Sequence, residues 1–247
     1  MGSFYEATMA TIPEVFRRNG EGIRAAAAQL STVIRDGGIV HSFGSGHSQA
    51  GALELAGRAG GLIPTNRLSI TDLVLLGRHP ASLLDDPLLE RRADIGRELY
   101  DVSDVRAGDA LVVMSNSGIN GSVVELSLAA AEAGVPVIAI TSLAHSSAGT
   151  SRHSSGLKLM DVAQVVLDNG APEGDAILPL QPGVAVNAVS SITTAFLVQC
   201  VVAETIRALV AYGLEPPVYV SANLPGGHDR NIAIEERYEG RLRRLGA

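Results

Sequence analysis

Two short apolar runs in this chain stop abruptly at glycine and serine: Ile39-Val-His-Ser-Phe-Gly-Ser-Gly-His-Ser-Gln49 and Val112-Val-Met-Ser-Asn-Ser-Gly118. Each then gives way to a helix-like pattern, an arrangement that turns backbone N–H groups and hydroxyls toward an anion at a helix N-terminus. In the second run Ser115, Ser117 and the amides from Asn116 to Gly118 can ring one tetrahedral oxyanion. Hydroxyls and neutral amides, without a fixed cation, suit a phosphate monoester that must enter and leave. By itself this run reads better as a serine-rich turn capping a helix from Ser122. Its pairing with a second glycine-serine exit shifts the balance to an anion site.

Nucleotide chemistries fit less well. Gly44-Ser-Gly46 opens like a dinucleotide fingerprint, but the third glycine would fall on Gln49, and no acidic residue closes the next strand to hold a ribose. No Lys-Ser/Thr pair follows the glycines as a P-loop requires, and neither run has the Gly-x-Ser-x-Gly spacing of a nucleophile elbow.

The elements that must position these runs follow from periodicity. Residues from about 3 to 35 read as two helices, broken or kinked at Asn19-Gly20 or Gly22 and stopped by Asp36-Gly37-Gly38. Strands are expected over 39–43, 62–68, 110–114, 136–141 and 165–168, with Pro64 weakening the second or placing it at a sheet edge. Helices are expected from Ser48 to about Gly60, over 93–100, 122–133 and 157–163, over a long, nearly uncharged 184–212, and over a charged 231–245. Thr71 to Asp94 is an irregular excursion of the kind that serves as a lid or binding loop. Strands alternating with helices imply an α/β fold whose parallel sheet is covered on both faces. Ligands of such sheets bind beyond the carboxyl ends of the strands, near a switch in strand order, and both runs end there.

The 247 residues fit one α/β domain, with N-terminal helices over 1–36, a core over 37–170 and a helical extension over 171–247. An apolar fraction of 46% supplies a sizeable core, packed by aliphatic side chains and alanine because aromatics make up only 4%. A net charge of −7 argues against nucleic-acid or anionic-membrane surfaces. The single cysteine, Cys200, excludes an internal disulfide and reads as a buried small hydrophobe. With no uninterrupted apolar span of about 18 residues and no signal pattern, a cytoplasmic protein is expected.

Val-Val-Met-Ser-Asn-Ser-Gly118, then a helix and Gly134-Val-Pro-Val-Ile-Ala-Ile-Thr-Ser142, resembles the central signature of SIS (sugar isomerase) phosphosugar-binding domains. The Phe-Gly-Ser-Gly-His-Ser48 exit is similar to the first phosphosugar loop of that superfamily, and the likeness spans roughly 31–169. Thr-Ser-Arg-His-Ser-Ser-Gly over 150–156 and the Pro-Pro-Val…Ser-Ala-Asn tail resemble a poorly characterised bacterial group of stand-alone SIS proteins. The resemblance implies a three-layer sandwich with a five-stranded parallel sheet in flavodoxin-like order. It also implies a homodimer or homotetramer with sites near subunit interfaces, and a sugar phosphate as the partner. Ser45, Gly46, His47 and Ser48 would form one wall of the phosphate site, and Ser115, Asn116, Ser117, Gly118 and Asn120 the other. Ile119-Asn120 departs from the residues many relatives carry after Ser-x-Ser-Gly, and Arg58 stands where several catalytic relatives place a carboxylate.

Isomerising an aldose to a ketose needs a base to move a proton between adjacent carbons. Glu54, one face of a helix beyond the first loop, is the first candidate, against an ordinary salt-bridged glutamate. His47 could touch phosphate or a sugar hydroxyl, whereas His41 within a strand reads as a satisfied core histidine. Arg152 could neutralise phosphate, with His153 beside it as a catalytic candidate. Glu204, alone in an apolar helix, is either functional or paired with Arg207. His228 could complete a neighbour's site, and His79 is expected to be exposed. No ligand spacing calls for a metal or other cofactor. The leading expectation is a phosphosugar isomerase. A non-catalytic phosphosugar sensor and an amino-sugar-phosphate lyase or etherase stand as alternatives.

Overall fold

The structure, a computed structural model, describes residues 3–243. Five strands, β1 (Val40–Gly44), β2 (Thr65–Leu68), β3 (Ala110–Met114), β4 (Val137–Thr141) and β5 (Val165–Asp168), form one parallel sheet in the order β2-β1-β3-β4-β5. Their sequences read as near-continuous apolar runs because both faces of the sheet are covered. Period two still sorts the side chains within each strand. Ala110, Val112 and Met114 pack with helices α1 (Phe4–Arg35), α2 (Gln49–Leu55) and α8 (Ser190–Ala211). Leu111 and Val113 face the other way, against Leu99 of α4 (Ala93–Val102) and Val123 and Leu126 of α5 (Gly121–Glu132). The result is the expected three-layer α/β sandwich. Shorter helices α3 (Asp72–Leu75), α6 (Leu143–Ala148), α7 (Leu159–Val162) and α9 (Gly227–Glu235) fill the connections. Pro64 does precede an edge strand, since β2 ends the sheet.

Four expectations change. The N-terminal segment is one unbroken helix of 32 residues, because Asn19 and Gly22 are used for packing rather than for a break. Asn19 is buried, donates to the Val15 and Asp168 carbonyls and accepts from the Asp168 amide. A Cβ on Gly22 would fall 2.7 Å from Leu167 Cδ2, so the glycine lets α1 lie close on β5. The first residues of the expected long helix over 184–212 are instead a strand, β7 (Val184–Ala188), which pairs antiparallel with β6 (Ala176–Gln181) across a turn at Pro182-Gly183. The charged terminal helix starts earlier than expected and closes at Glu235, followed by a 3-10 turn over Glu236–Tyr238. Its expected end at Leu245 lies outside the described residues. Helix α8 is long and apolar enough to cross a membrane by length and composition alone, but it packs on α1 and α2 as part of the covering layer, as the expectation of no membrane span requires. Cys200 on this helix is half-buried rather than buried, and burial raises its thiol pKa, as does the Glu204 charge.

At the amino-terminal ends of the strands, the C-terminal tail is tied beneath the sheet. Asp109, just before β3, accepts from the Ile39 and Arg106 amides and from Arg241, whose Nη2 lies 2.8 Å from both carboxylate oxygens. His41 Nε2 lies 3.2 Å from the same carboxylate. Burial alone pushes the Asp109 pKa up. The bonds from His41, the Ile39 amide and Arg241 outweigh it and bring the value down to about 2. His41 is thus a partnered core histidine at Nε2, while its Nδ1 is buried without a partner among the described residues.

Candidate functional site

The chain runs from β1 out to β2, then returns to the far side of β1 to place β3, so the strand order switches between β1 and β3. Both glycine-serine exits open at this switch. After β1, Gly46 takes φ +54° and starts a 3-10 turn over Gly46–Ser48 that leads into α2. After β3, Ser115 Oγ accepts from the Gly118 amide at 3.1 Å, closing a turn in which Gly118 has φ +63°. A side chain on Gly118 would meet Thr141 Oγ1 at 3.2 Å and Leu159 Cβ at 3.3 Å, so only glycine suits this bend.

The Asn116 side chain and carbonyl are both held. Its Oδ1 accepts from Asn169 Nδ2 at 3.0 Å, its Nδ2 lies 3.2 Å from His145 Nδ1, and its carbonyl accepts from the Ser142 amide. Ser117 is different: its hydroxyl is half-buried and has no partner among the described residues. Asn120 is the N-cap residue of α5 but makes no side-chain cap bond. The first amides of that 12-residue helix therefore keep the unfilled donors and positive end of the helix dipole. Arg152 Nη1 donates to Asn120 Oδ1, which brings a cation to the edge of this turn.

Two depressions flank the first loop. One is a polar crevice lined by His47, Ser48, Asn116, Asn169, Ser191 and Thr194. The other is a cleft of about 420 Å³ lined by Ser45, Gly46, Gln49, Ser69, Thr71 and Glu90. Asp72 is buried behind it, and desolvation raises its carboxyl pKa against the Ser69 amide bond that lowers it.

The structure thus brings Ser45, Gly46, His47 and Ser48 together with the 115–120 turn and Arg152. It does not bring the other candidates to these loops. Glu54 accepts from Arg58, just past the end of α2, and from Gln199 Nε2 at 2.6 Å. Glu204 is half-exposed rather than buried and is paired with Arg207. Fourteen positions along α8 from Ser190, it sits about 21 Å from the helix end that meets the crevice. The His153 ring is nearly buried, with Nε2 2.7 Å from Glu125 Oε2 and Nδ1 2.8 Å from Ser155 Oγ. His228 is exposed in the first turn of α9, whose Ile234 packs on Ile63 ahead of β2, at the other end of the sheet. His79 is half-buried rather than exposed, 2.5 Å from Glu98 Oε2. Among the described residues, no three His, Cys, Asp or Glu side chains gather to hold a metal ion.

Three contributors escaped the sequence reading. Asp168-Asn169-Gly170 is a polar strand exit like the other two, and that signal was present. Ser190-Ser191 opens α8, whereas the helix expected from 184 puts both residues in its second turn rather than at its head. Glu90 carried no local signal. It lies in the irregular excursion among other charges, and only the tertiary fold presents it to the first loop.

Residues 3–142 match the SIS domain family. A UPF0309 protein of Streptomyces coelicolor is 38% identical over 242 residues, covering 98% of this chain and 96% of the relative. One from Listeria innocua is 32% identical over 247 residues, covering 100% and 98%. Among solved structures, a phosphoheptose isomerase from Francisella tularensis superposes with a TM-score of 0.56 at 16% identity, over 83% of this chain and 95% of that one. One from Neisseria gonorrhoeae gives 0.52 at 19%, over 81% and 92%. At these identities the two structures speak for the shared fold.

Proposed function

Because the chain belongs to the SIS domain family, among its UPF0309 proteins, we propose that it binds a phosphorylated sugar and isomerises it between aldose and ketose forms. The observation that carries the reading is the junction at the strand switch. Two glycine-serine turns, the unpartnered Ser117 hydroxyl and the uncapped first turn of α5 converge there, with Arg152 at the rim. An uncommitted hydroxyl and unfilled helix amides suit a dianionic phosphate monoester that is held and released. The phosphoheptose isomerase activity named for two structures of the same fold is compatible with this substrate class. Calorimetric titration with sugar phosphates and the matching free sugars tests it, with binding expected for the phosphorylated members alone.

A second reading, a phosphosugar sensor without catalysis, is favoured by one observation: Glu54 and Glu204, two carboxylates suited to proton transfer, are both engaged by arginines. Ligand binding without exchange of substrate protons into heavy water would select it. The proposal includes a cytoplasmic homodimer or homotetramer. Its support is the uncovered apolar surface on α1, where Tyr5, Met9 and Phe16 are exposed, and on the hairpin, where Leu180 and Val184 are. A monomer in sedimentation would remove that part.

A further inference from the structure

We propose that Glu90 is the general base of this site. The inference rests on the phosphosugar reading above. Glu90 lies on a short 3-10 turn, Leu89–Arg91, within the excursion between β2 and α4. Two contacts fix it where both anion loops meet. Its Oε2 accepts from Ser45 Oγ of the first loop at 2.8 Å. Its backbone carbonyl accepts from Ser122 Oγ, in the first turn of α5, at 2.7 Å. The approach of this segment to α5 is close: a Cβ on Gly121 would fall 2.3 Å from the Arg91 carbonyl oxygen.

The carboxylate itself is uncommitted. Among the described residues Glu90 forms no ion pair, and Oε1 has no hydrogen-bond partner. Glu54, by contrast, is held by Arg58 and Gln199. Glu90 is half-buried in the wall of the cleft of about 420 Å³ beside Ser45 and Gly46, a volume within the range of about 300–1,000 Å³ usual for small-molecule sites. A sugar whose phosphate sits on the α5 turn can extend along the first loop into this cleft, past the free oxygen.

The step runs as a proton shuttle. Glu90 takes the proton from the carbon next to the open-chain aldehyde, and the C–H electron pair becomes the C=C bond of an enediolate. The aldehyde π pair moves to its oxygen, which takes up the proton of the neighbouring hydroxyl. Glu90 then returns its proton to the former aldehyde carbon as the new carbonyl forms. Nothing is oxidised or reduced overall, and no co-reactant is consumed.

The test uses the full chain, a panel of aldose and ketose phosphates, calorimetry for binding and proton NMR in heavy water for exchange at the carbon next to the carbonyl. Glu90→Gln keeps an oxygen for Ser45 and is expected to hold affinity within about threefold while slowing exchange by about 100-fold or more. In Glu90→Ala, added formate is expected to restore part of the exchange, which a purely structural role would not allow. Exchange in Glu90→Gln within about threefold of wild type overturns the assignment, as does loss of exchange in Glu54→Gln with Glu90→Gln unaffected. A wild-type protein that binds sugar phosphates without exchanging protons overturns the base and leaves the binding reading standing. A protein that binds none of them overturns both.

Discussion

Asn169 Nδ2 donates to Asn116 Oδ1 at 3.0 Å, so the exit of β5 braces the turn after β3 across the width of β4. The Asn169 amide oxygen accepts from the Ala171 amide, and the residue is 1% exposed. Asn169→Ala is expected to cost about 1–3 kcal/mol of stability, because the buried Asn169 side chain and its bonds to Asn116 and the Ala171 amide are lost. Sugar-phosphate affinity should fall with it as the turn loosens. Denaturant unfolding and calorimetry together check this, and unchanged values of both would show that the brace is idle.

Ser117→Ala separates binding from folding. The hydroxyl has no partner within the described residues, so stability should stay within about 0.5 kcal/mol. Loss of a charge-assisted bond to phosphate should weaken binding by about 1–3 kcal/mol. Equal affinity of variant and wild type would remove the hydroxyl from the phosphate site.

Gly121→Ala should push the 90–93 segment off the start of α5, since the added methyl would lie 2.3 Å from the Arg91 carbonyl oxygen and 2.9 Å from the Ala93 amide nitrogen. Such overpacking against backbone typically costs about 1–3 kcal/mol, more than the better helix propensity of alanine returns. A thermal midpoint equal to or above that of the wild type would contradict this contact.

Acid should release the tail tie under the sheet. The folded pKa of Asp109, about 2, lies below its ordinary value of 3.8. Its stabilising contribution is therefore fully present above 3.8 and lost as pH falls through about 2. The amount is on the order of 2 kcal/mol. Urea unfolding from about pH 6 down to about pH 2 should show that decline in wild type and not in Asp109→Asn. Parallel declines in the two proteins would place the acid sensitivity elsewhere.

The fold was largely legible because it rests on local patterns. The strand around Val112 and the one around Ile138 are short apolar runs rich in β-branched residues and preceded by glycine or proline, too short for a helix and fitting a buried parallel strand. Where the reading failed, long-range contacts decided. Nothing local marks Gly22 as a packing glycine until Leu167 stands against it. Strand β7 over 184–188 was hidden by its aliphatic composition, which helix and strand share, although Pro182-Gly183 marked the turn before it. In the candidate site, the two turns were legible because the glycines at the strand exits, Gly46 and Gly118, take the positive φ that such turns need. The carboxylates were not, since whether a glutamate is free or paired depends on neighbours such as Gln199 for Glu54 and Ser45 for Glu90.

The most direct measurement is calorimetric titration of the wild-type protein with a panel of sugar phosphates and the same sugars without phosphate. Saturable binding confined to phosphorylated sugars, competed by inorganic phosphate, is the expected result. No heat from any sugar phosphate, or equal affinity for a sugar with and without its phosphate, would contradict the assignment of the two glycine-serine turns as a phosphosugar site.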